Sequence, residues 1–388
     1  MEILHYFKKI SGVGVRKAYN FEKTLGNLIT LNNEDAKITS LEDYKVAIIG
    51  VPESRGIGKI QSINSNFFRE SFYSFFSSKN IKPNQIIDLG DIIPGEKKED
   101  TYFALADVLH ELLSKKIIPV IIGGTDDLAF ANFKAYERFE HTINITHISK
   151  SIPLGNPEEE LLSSNWLNKV ILYQPNYLFN YSHLAFQSFY VDESEKELLD
   201  SLNFDFHRLG EISSNVEQAE PIVRNSDMLS FNMDAIRNSD ANDVFNTSPN
   251  GLYGHQACQI AKYAGISDKL TSFGIYNANL SGSSITSELM AQMVWYFIEG
   301  VFQRKNDYPV GAIDNYTKYS VALKTSEHDI AFYKSNKSQR WWMQIPYPAS
   351  VLLKNQRHYL VPCTYEDYQK ACNDELPDRW LKTYHKLI

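Results

Sequence analysis

Two adjacent acids, Asp126 and Asp127, stand in "VIIGGTDDLAFANFKAYE" (residues 120–137), where an apolar run ends in Gly123-Gly124 and a helical pattern begins. Polar groups at the C-terminal end of a buried parallel strand are where α/β proteins gather their chemistry. Two carboxylates there can hold a hard cation, or they can cap and charge-match the helix that follows. A third acid, Asp234, ends "DMLSFNMD" (Asp227–Asp234). Asn232, two positions earlier on a strand, faces the same side. The plainer role of Asp234 is to hold the next loop by backbone hydrogen bonds. His147 in "TINITHIS" reads as a core or rim histidine or as a ligand, and His255 in "GLYGHQA" as an exposed helix-start residue or as one that reaches the same pocket. No Gly-x-Ser-x-Gly elbow is present, so no serine is placed as a nucleophile by that device. "SGVGV" near the N-terminus lacks the strand context of a dinucleotide fingerprint. "RWWMQIP" can stack a planar ligand or serve as packing.

The elements that must position these residues are β-rich runs alternating with helical ones. "YKVAIIGVP", "QIIDLGDI", "IIPVIIGG", "TINITHIS", "KVILYQ", "DMLSFNMD" and "KLTSFGIYNAN" read as strands. Continuous apolar runs of this kind fit strands covered on both faces. "TYFALADVLHELLSKK" (Thr101–Lys116) and "SITSELMAQMVWYFIEGVFQ" (Ser284–Gln303) read as helices, the second deeply buried. The alternation predicts an α/β fold, a three-layer α/β/α sandwich with a mainly parallel sheet. Three segments are expected: an N-terminal extension over 1–40, a core over 41–305, and an aromatic-rich C-terminal appendage over 306–388 packed on that core.

The chain has 388 residues, 43% hydrophobic and 22% charged, enough for a large core. Its net charge of -8 argues against non-specific nucleic-acid or anionic-membrane partners. Cys258, Cys363 and Cys372 are sparse and lack CxxC spacing, as free thiols of a reducing compartment would. No signal-like leader or membrane-length apolar run is read, so a cytoplasmic protein is expected.

Six blocks in order resemble the arginase–agmatinase–formimidoylglutamase family, the ureohydrolases. They are "AIIGVPESRG", "IIDLGDI", "IIGGTDDLAFANFKAYE", "SFNMDAI", "SPNGLYGHQACQIAKYAG" and "SFGIYNAN". The resemblance covers roughly residues 44–305 and is nearest the bacterial formimidoylglutamase-like branch, which it implies shares the appendage. It implies an arginase-like fold, self-association into oligomers, and a pair of manganese ions bridged by a hydroxide that attacks a guanidinium, amidine or formimino carbon. Two such ions ~3.5 Å apart repel by roughly 19 kcal/mol at an effective dielectric of 20, so anionic ligands must offset them. The family uses four aspartates and two histidines.

Carried over position by position, those ligands fall on Asp126, on Ser149, Ser151 and Pro153 of "SKSIP", and on Asn232 and Asp234. A register shifted to use His147 puts Ile145 and Ser149 at the aspartates, so neither register restores the set. The family's second-shell glutamate falls on Asn277; Asp127, His147 and His255 are the other residues expected around the pocket. Period-2 alternation keeps Asn232 with Asp234, and Ser149 with Ser151, on common sides, so a polar-lined cavity is expected. The serines also read as loop formers. Serine and asparagine oxygens are poor, uncharged manganese ligands. The resemblance therefore implies a non-catalytic ureohydrolase-fold protein without the dimanganese centre, one that takes a small-molecule ligand or an interaction partner. A single magnesium or calcium ion between Asp126 and Asp234 stays open. Two alternatives stay open as well: a metal-dependent hydrolase of linear amidines, and an oligomeric scaffold that uses the appendage as its contact.

Overall fold

A computed structural model describes residues 2–13, 21–36, 38–58, 63–282, 284–309, 314–323, 329–346 and 359–387. The continuous apolar runs form the strands at its centre. β1 (Phe7–Lys8), β2 (Thr30–Leu31), β3 (Val46–Val51), β4 (Ile86–Ile92), β5 (Ile118–Gly123), β6 (Ile143–Ile148), β7 (Leu178–Phe186), β8 (Asp205–Arg208), β9 (Met228–Asn232) and β10 (Ser272–Tyr276) make one sheet. Its order is β1-β4-β3-β5-β10-β9-β6-β7-β8, with β2 also on β4. Only β1 runs antiparallel to its neighbour. Residues 1–40, expected as an extension, thus supply two short strands that pair with β4.

Alternate residues of each strand face different layers. Val46, Ile48, Val120, Ile122, Phe273 and Ile275 pack with the helices Asn66–Ser74, Gly254–Ile266 and Ile285–Phe302. Ala47, Ile49, Ile121, Ile143 and Ile145 pack on the other side with the helices Lys98–Ser114, Leu128–Lys134 and Trp166–Ile171. This is the expected three-layer sandwich. "KVILYQ", expected as a strand, instead forms the last turn of the helix Trp166–Ile171 and runs on past its end. Trp166, Leu167 and Val170 are its buried residues, on one helical face, and a four-residue apolar cluster cannot by itself distinguish the two periods.

The appendage is a separate antiparallel sheet of β11 (Tyr316–Val321), β12 (Ile330–Ser335), β13 (Trp341–Gln344) and β14 (Leu360–Cys363), with the helices Tyr365–Cys372 and Asp378–Leu387. It has its own apolar core, which includes Phe332, Trp341, Met343, Val361 and Trp380. Arg224 of the main layer joins the two. Its guanidinium donates to the carbonyls of Trp341 (3.0 Å) and Cys363 (3.2 Å) and stacks 4.4 Å from the Trp342 ring centre. Trp341, Trp342 and Trp380 are buried within this one chain, so "RWWMQIP" is packing at the seam. No helix among the described residues is long and apolar enough to cross a membrane.

Candidate functional site

Four adjacent central strands, in the order β5-β10-β9-β6, bring the acids together at their C-terminal ends. The turn after β5 is forced close to the end of β3. A Cβ on Gly124 would lie 1.6 Å from the Glu53 carbonyl oxygen, so only glycine fits there. The next residues then descend into the helix Leu128–Lys134. Asn277, after β10, donates its N–H to the Gly124 carbonyl at 2.7 Å with φ of 64°, a left-handed conformation that asparagine tolerates better than most residues.

Asp126 is 2% exposed. Its Oδ2 accepts the indole N–H of Trp166 at 2.9 Å and lies 3.3 Å from His147 Nε2, while Oδ1 meets no hydrogen-bond partner within 3.5 Å among the described residues. Asp234, also buried, accepts the Ser149 hydroxyl at 3.0 Å and the Lys150 backbone N–H at 3.3 Å on Oδ1. Asn232 accepts the Asp234 N–H at 2.9 Å, which fixes the turn off β9. Of the six positions carried over from the family, only Ser151 is partly exposed. Its N–H donates to Ser149 Oγ at 3.4 Å. Pro153 is buried at the start of the Trp166 helix, where its carbonyl accepts the Leu167 N–H, and contributes no side-chain oxygen.

The residues expected to line a polar cavity are themselves buried, save for Ser151. The lining is polar, but the side chains face one another in the interior, and Trp166 fills space against Asp126. Of the two acids expected to cap the helix, Asp127 stands at the N-cap position of Leu128–Lys134, but its side chain makes no cap hydrogen bond and accepts the Tyr102 hydroxyl at 2.6 Å and the Ser163 hydroxyl at 2.7 Å. His255 does not join the cluster. It is exposed on the first turn of Gly254–Ile266 and lines a cleft of about 670 Å³ with Cys258, Glu288 and Tyr296. Asn277 is buried near the turn and its Oδ1 has no hydrogen-bond partner among the described residues.

His147 is wholly buried and its Nδ1 lies 3.1 Å from Ser230 Oγ. Asp126, His147 and Ser230 thus form a chain with the composition of a nucleophilic triad. All three are at most 2% exposed, and Ser230 lies inside β9, so no substrate carbonyl can reach the hydroxyl. His183, directly across from His147, places its Nε2 3.0 Å from the Ser149 carbonyl and its Nδ1 2.8 Å from the Tyr181 hydroxyl.

Dry surroundings decide the protonation states. Burial raises Asp126 well above the usual carboxylate range; the Trp166 N–H opposes this, and the charges of Asp234 and Asp127 add to it. Burial lowers His147 well below the usual imidazole range, helped by His183. The contact between His147 and Asp126 is therefore a polar contact of groups biased toward neutrality, not an ion pair. Burial pushes Asp234 up to about 6 against the Lys150 charge, and pushes His183 down to about 4.

This donor set does not fit a pair of divalent ions. Two carboxylates stand at the six positions, one biased toward protonation, and each already accepts a hydrogen bond. Among the described residues no group of three or more His, Cys, Asp or Glu side chains is arranged to hold a metal.

The sandwich, with its polar cluster at the central strand ends, defines an α/β protein with a mainly parallel sheet covered on both faces. Residues 45–299 match the model of the arginase family, and the chain belongs to that family. The model stops before the appendage. Formimidoylglutamase from Bacillus subtilis is similar in structure, with a TM-score of 0.64 and 18% identity over 76% of this chain and 97% of that one. Formiminoglutamase from Trypanosoma cruzi with Mn2+ gives 0.62 and 17% over 72% and 99%. Agmatine ureohydrolase from Thermoplasma volcanium gives 0.55 and 18% over 68% and 92%. No curated protein sequence matches.

Proposed function

We propose that this chain is a non-catalytic member of the arginase family whose work is binding. The observation that carries the reading is the strand-end cluster, where Asp126 is held by Trp166 and Asp234 by Ser149 in the protein interior. Groups so engaged and so short of negative charge do not supply what two adjacent manganese ions need. A ligand would enter elsewhere at the same edge of the sheet. An open cleft of about 580 Å³ lies past the end of β7, lined by Phe186, Gln187, Arg208, Asn250 and Tyr253. By family resemblance, the chain also self-associates.

The test is metal analysis of protein purified with manganese present, together with assays on formimino-glutamate, arginine and agmatine. The expected result is less than one tightly held ion per chain and no turnover. Two manganese ions per chain with turnover would sink the reading. A second reading keeps the family's activity: a hydrolase of linear amidines with one cation between Asp126 and Asp234. The partnerless Asp126 Oδ1 favours it. It requires that Asp234→Ala abolish turnover while the protein still folds.

A further inference from the structure

An uncovered sheet edge offers a row of free N–H and C=O groups to any other strand, and proteins blunt such edges. The main sheet ends in β1 and β2, of two residues each, on one side and in β8, of four, on the other. In the appendage sheet, β14 carries Pro362, which has no N–H, and its Cys363 carbonyl is taken by Arg224. β11, at the opposite edge, has none of these devices. It pairs with β12 along all six residues without a bulge, contains no proline, and exposes Thr317, Lys318 and Ser320. The Asn336 N–H donates to the Asn315 carbonyl at 2.9 Å, in the register that sets Tyr316 opposite Ser335. Bonded and non-bonded pairs alternate in an antiparallel ladder. Thr317, Tyr319 and Val321 therefore direct their backbone groups to β12, and Tyr316, Lys318 and Ser320 direct theirs away from it. Among the described residues no strand lies on that side.

We propose that β11 pairs with β11 of a second copy of this chain, antiparallel about a two-fold axis, so that two appendage sheets join into one. The occupant follows from the strand itself. An axis at Lys318 would set two ammoniums opposite each other. An axis at Tyr319 sets Lys318 opposite Ser320 and Thr317 opposite Val321, with the two Tyr319 rings together. Like charges directly opposite are destabilising, whereas aromatic and β-branched pairs are stabilising. An axis at Thr317 or Ser320 runs the pairing off the end of the strand. An unrelated extended peptide would meet the same backbone groups without this side-chain match. Tyr319 also lies 5.1 Å from the Trp341 ring centre and 5.5 Å from that of Tyr368, so the contact extends an aromatic cluster already built. Because β14 is blunted, the joined sheet stops at two copies. This goes beyond the binding role proposed above. The appendage lies outside the matched residues 45–299, so self-association through the core is a separate contact.

Analytical ultracentrifugation of the full-length chain tests the pairing. Ser320→Pro and Lys318→Pro each remove an outward N–H and no bond to β12. The native assembly is expected to hold an even number of chains, and each variant half its mass, whatever contact the core adds. Equal masses for native and variant proteins, or a single native chain, overturn the proposal. Hydrogen exchange of the unaltered chain reads the same edge should the proline variants fail to fold. The Lys318 and Ser320 amides are expected to be protected in concentrated protein and to lose protection on dilution, while Thr317 and Tyr319 stay protected. Rapid exchange of Lys318 and Ser320 at every concentration overturns the pairing. Their protection in a single-chain species does so too, since the chain would then cover its own edge. Tyr319→Cys tests the register, with Cys372→Ser removing the exposed native thiol. Residues directly opposite in that register have Cβ atoms about 5 Å apart, which a disulfide can bridge with slight adjustment. Oxidation is expected to link two chains at position 319 and not in Lys318→Cys. A link in Lys318→Cys alone, or in neither, removes the argument for a second copy.

Discussion

Two clusters of buried acids lie on the same sheet and are held in different ways. On β4, Asp88 takes two bonds from the Arg69 guanidinium, at 3.0 and 3.1 Å, and one from the Tyr73 hydroxyl at 2.8 Å. Arg69 also reaches Asp91 at 2.7 Å. At the ends of β5 and β9, Asp126 and Asp234 have no guanidinium. They are met by an indole, a hydroxyl, an amide and the field of one lysine. Both acids of "IIDLGDI" are met by one guanidinium, which clasps Asp88 through two N–H groups. Acids without such a partner drift toward their neutral forms when water is removed. The strand-end cluster is thus the part of the sheet where burial outweighs charge pairing.

The contrast is broken or sharpened by four measurements. The largest effect belongs to Arg69→Met, which leaves Asp88 buried and uncompensated; a loss of about 3–5 kcal/mol is expected in chemical denaturation. If that loss is under about 1 kcal/mol, β4 is not the charged cluster described.

The second measurement is the pH profile. Asp234 rises from 3.8 when free to about 6 when folded, so the native state binds more protons between those values. Its burial penalty is present above pH 6 and is relieved as the pH falls towards 3.8. His183, lowered from 6.5 to about 4, acts oppositely, and stability is lost as the pH falls from 6.5 towards 4. The two offset each other in the native chain. Asp234→Asn removes the first, so relative to the native protein it loses about 2 kcal/mol between pH 6 and pH 4. Parallel profiles for the two proteins would refute the assignment.

Trp166→Phe comes third. It keeps the ring's bulk but strips the donor from Asp126 Oδ2, and about 1–3 kcal/mol is expected from the unsatisfied acceptor. Asp126→Asn is the smallest, within about 1 kcal/mol of the native protein, because the group already leans toward an uncharged form. A loss as large as that of Asp88→Asn, measured in parallel, would erase the distinction between the two clusters.

The sheet was legible because β3 and β5 are unbroken apolar runs ended by glycine or proline, a pattern few structures other than covered strands satisfy. The long helix Ile285–Phe302 was legible for a similar reason, since its length settled its period. "KVILYQ" was too short to settle it, and in β7 the apolar residues are interrupted by Asn180, Ser182 and His183. In the cluster, Asp126, Ser149, Asn232 and Asp234 could be placed from strand-end position and alternation. What fills the space between them could not. Trp166 reaches Asp126 from 40 positions away, and Tyr102 and Ser163 reach Asp127 across similar gaps. Lys150 escaped because alternation would turn it away from Ser149, and the strand has already ended at Ile148.

The seam at Arg224 has a consequence for how this molecule comes apart. Its guanidinium is locked between Glu220 on one side and two carbonyls and an indole on the other. Peeling away the last eighty or so residues would strand that cation on a bared greasy surface. The two hydrophobic cores should therefore melt in a single cooperative transition, and a version shortened after residue 305 should precipitate, not survive as a smaller stable protein.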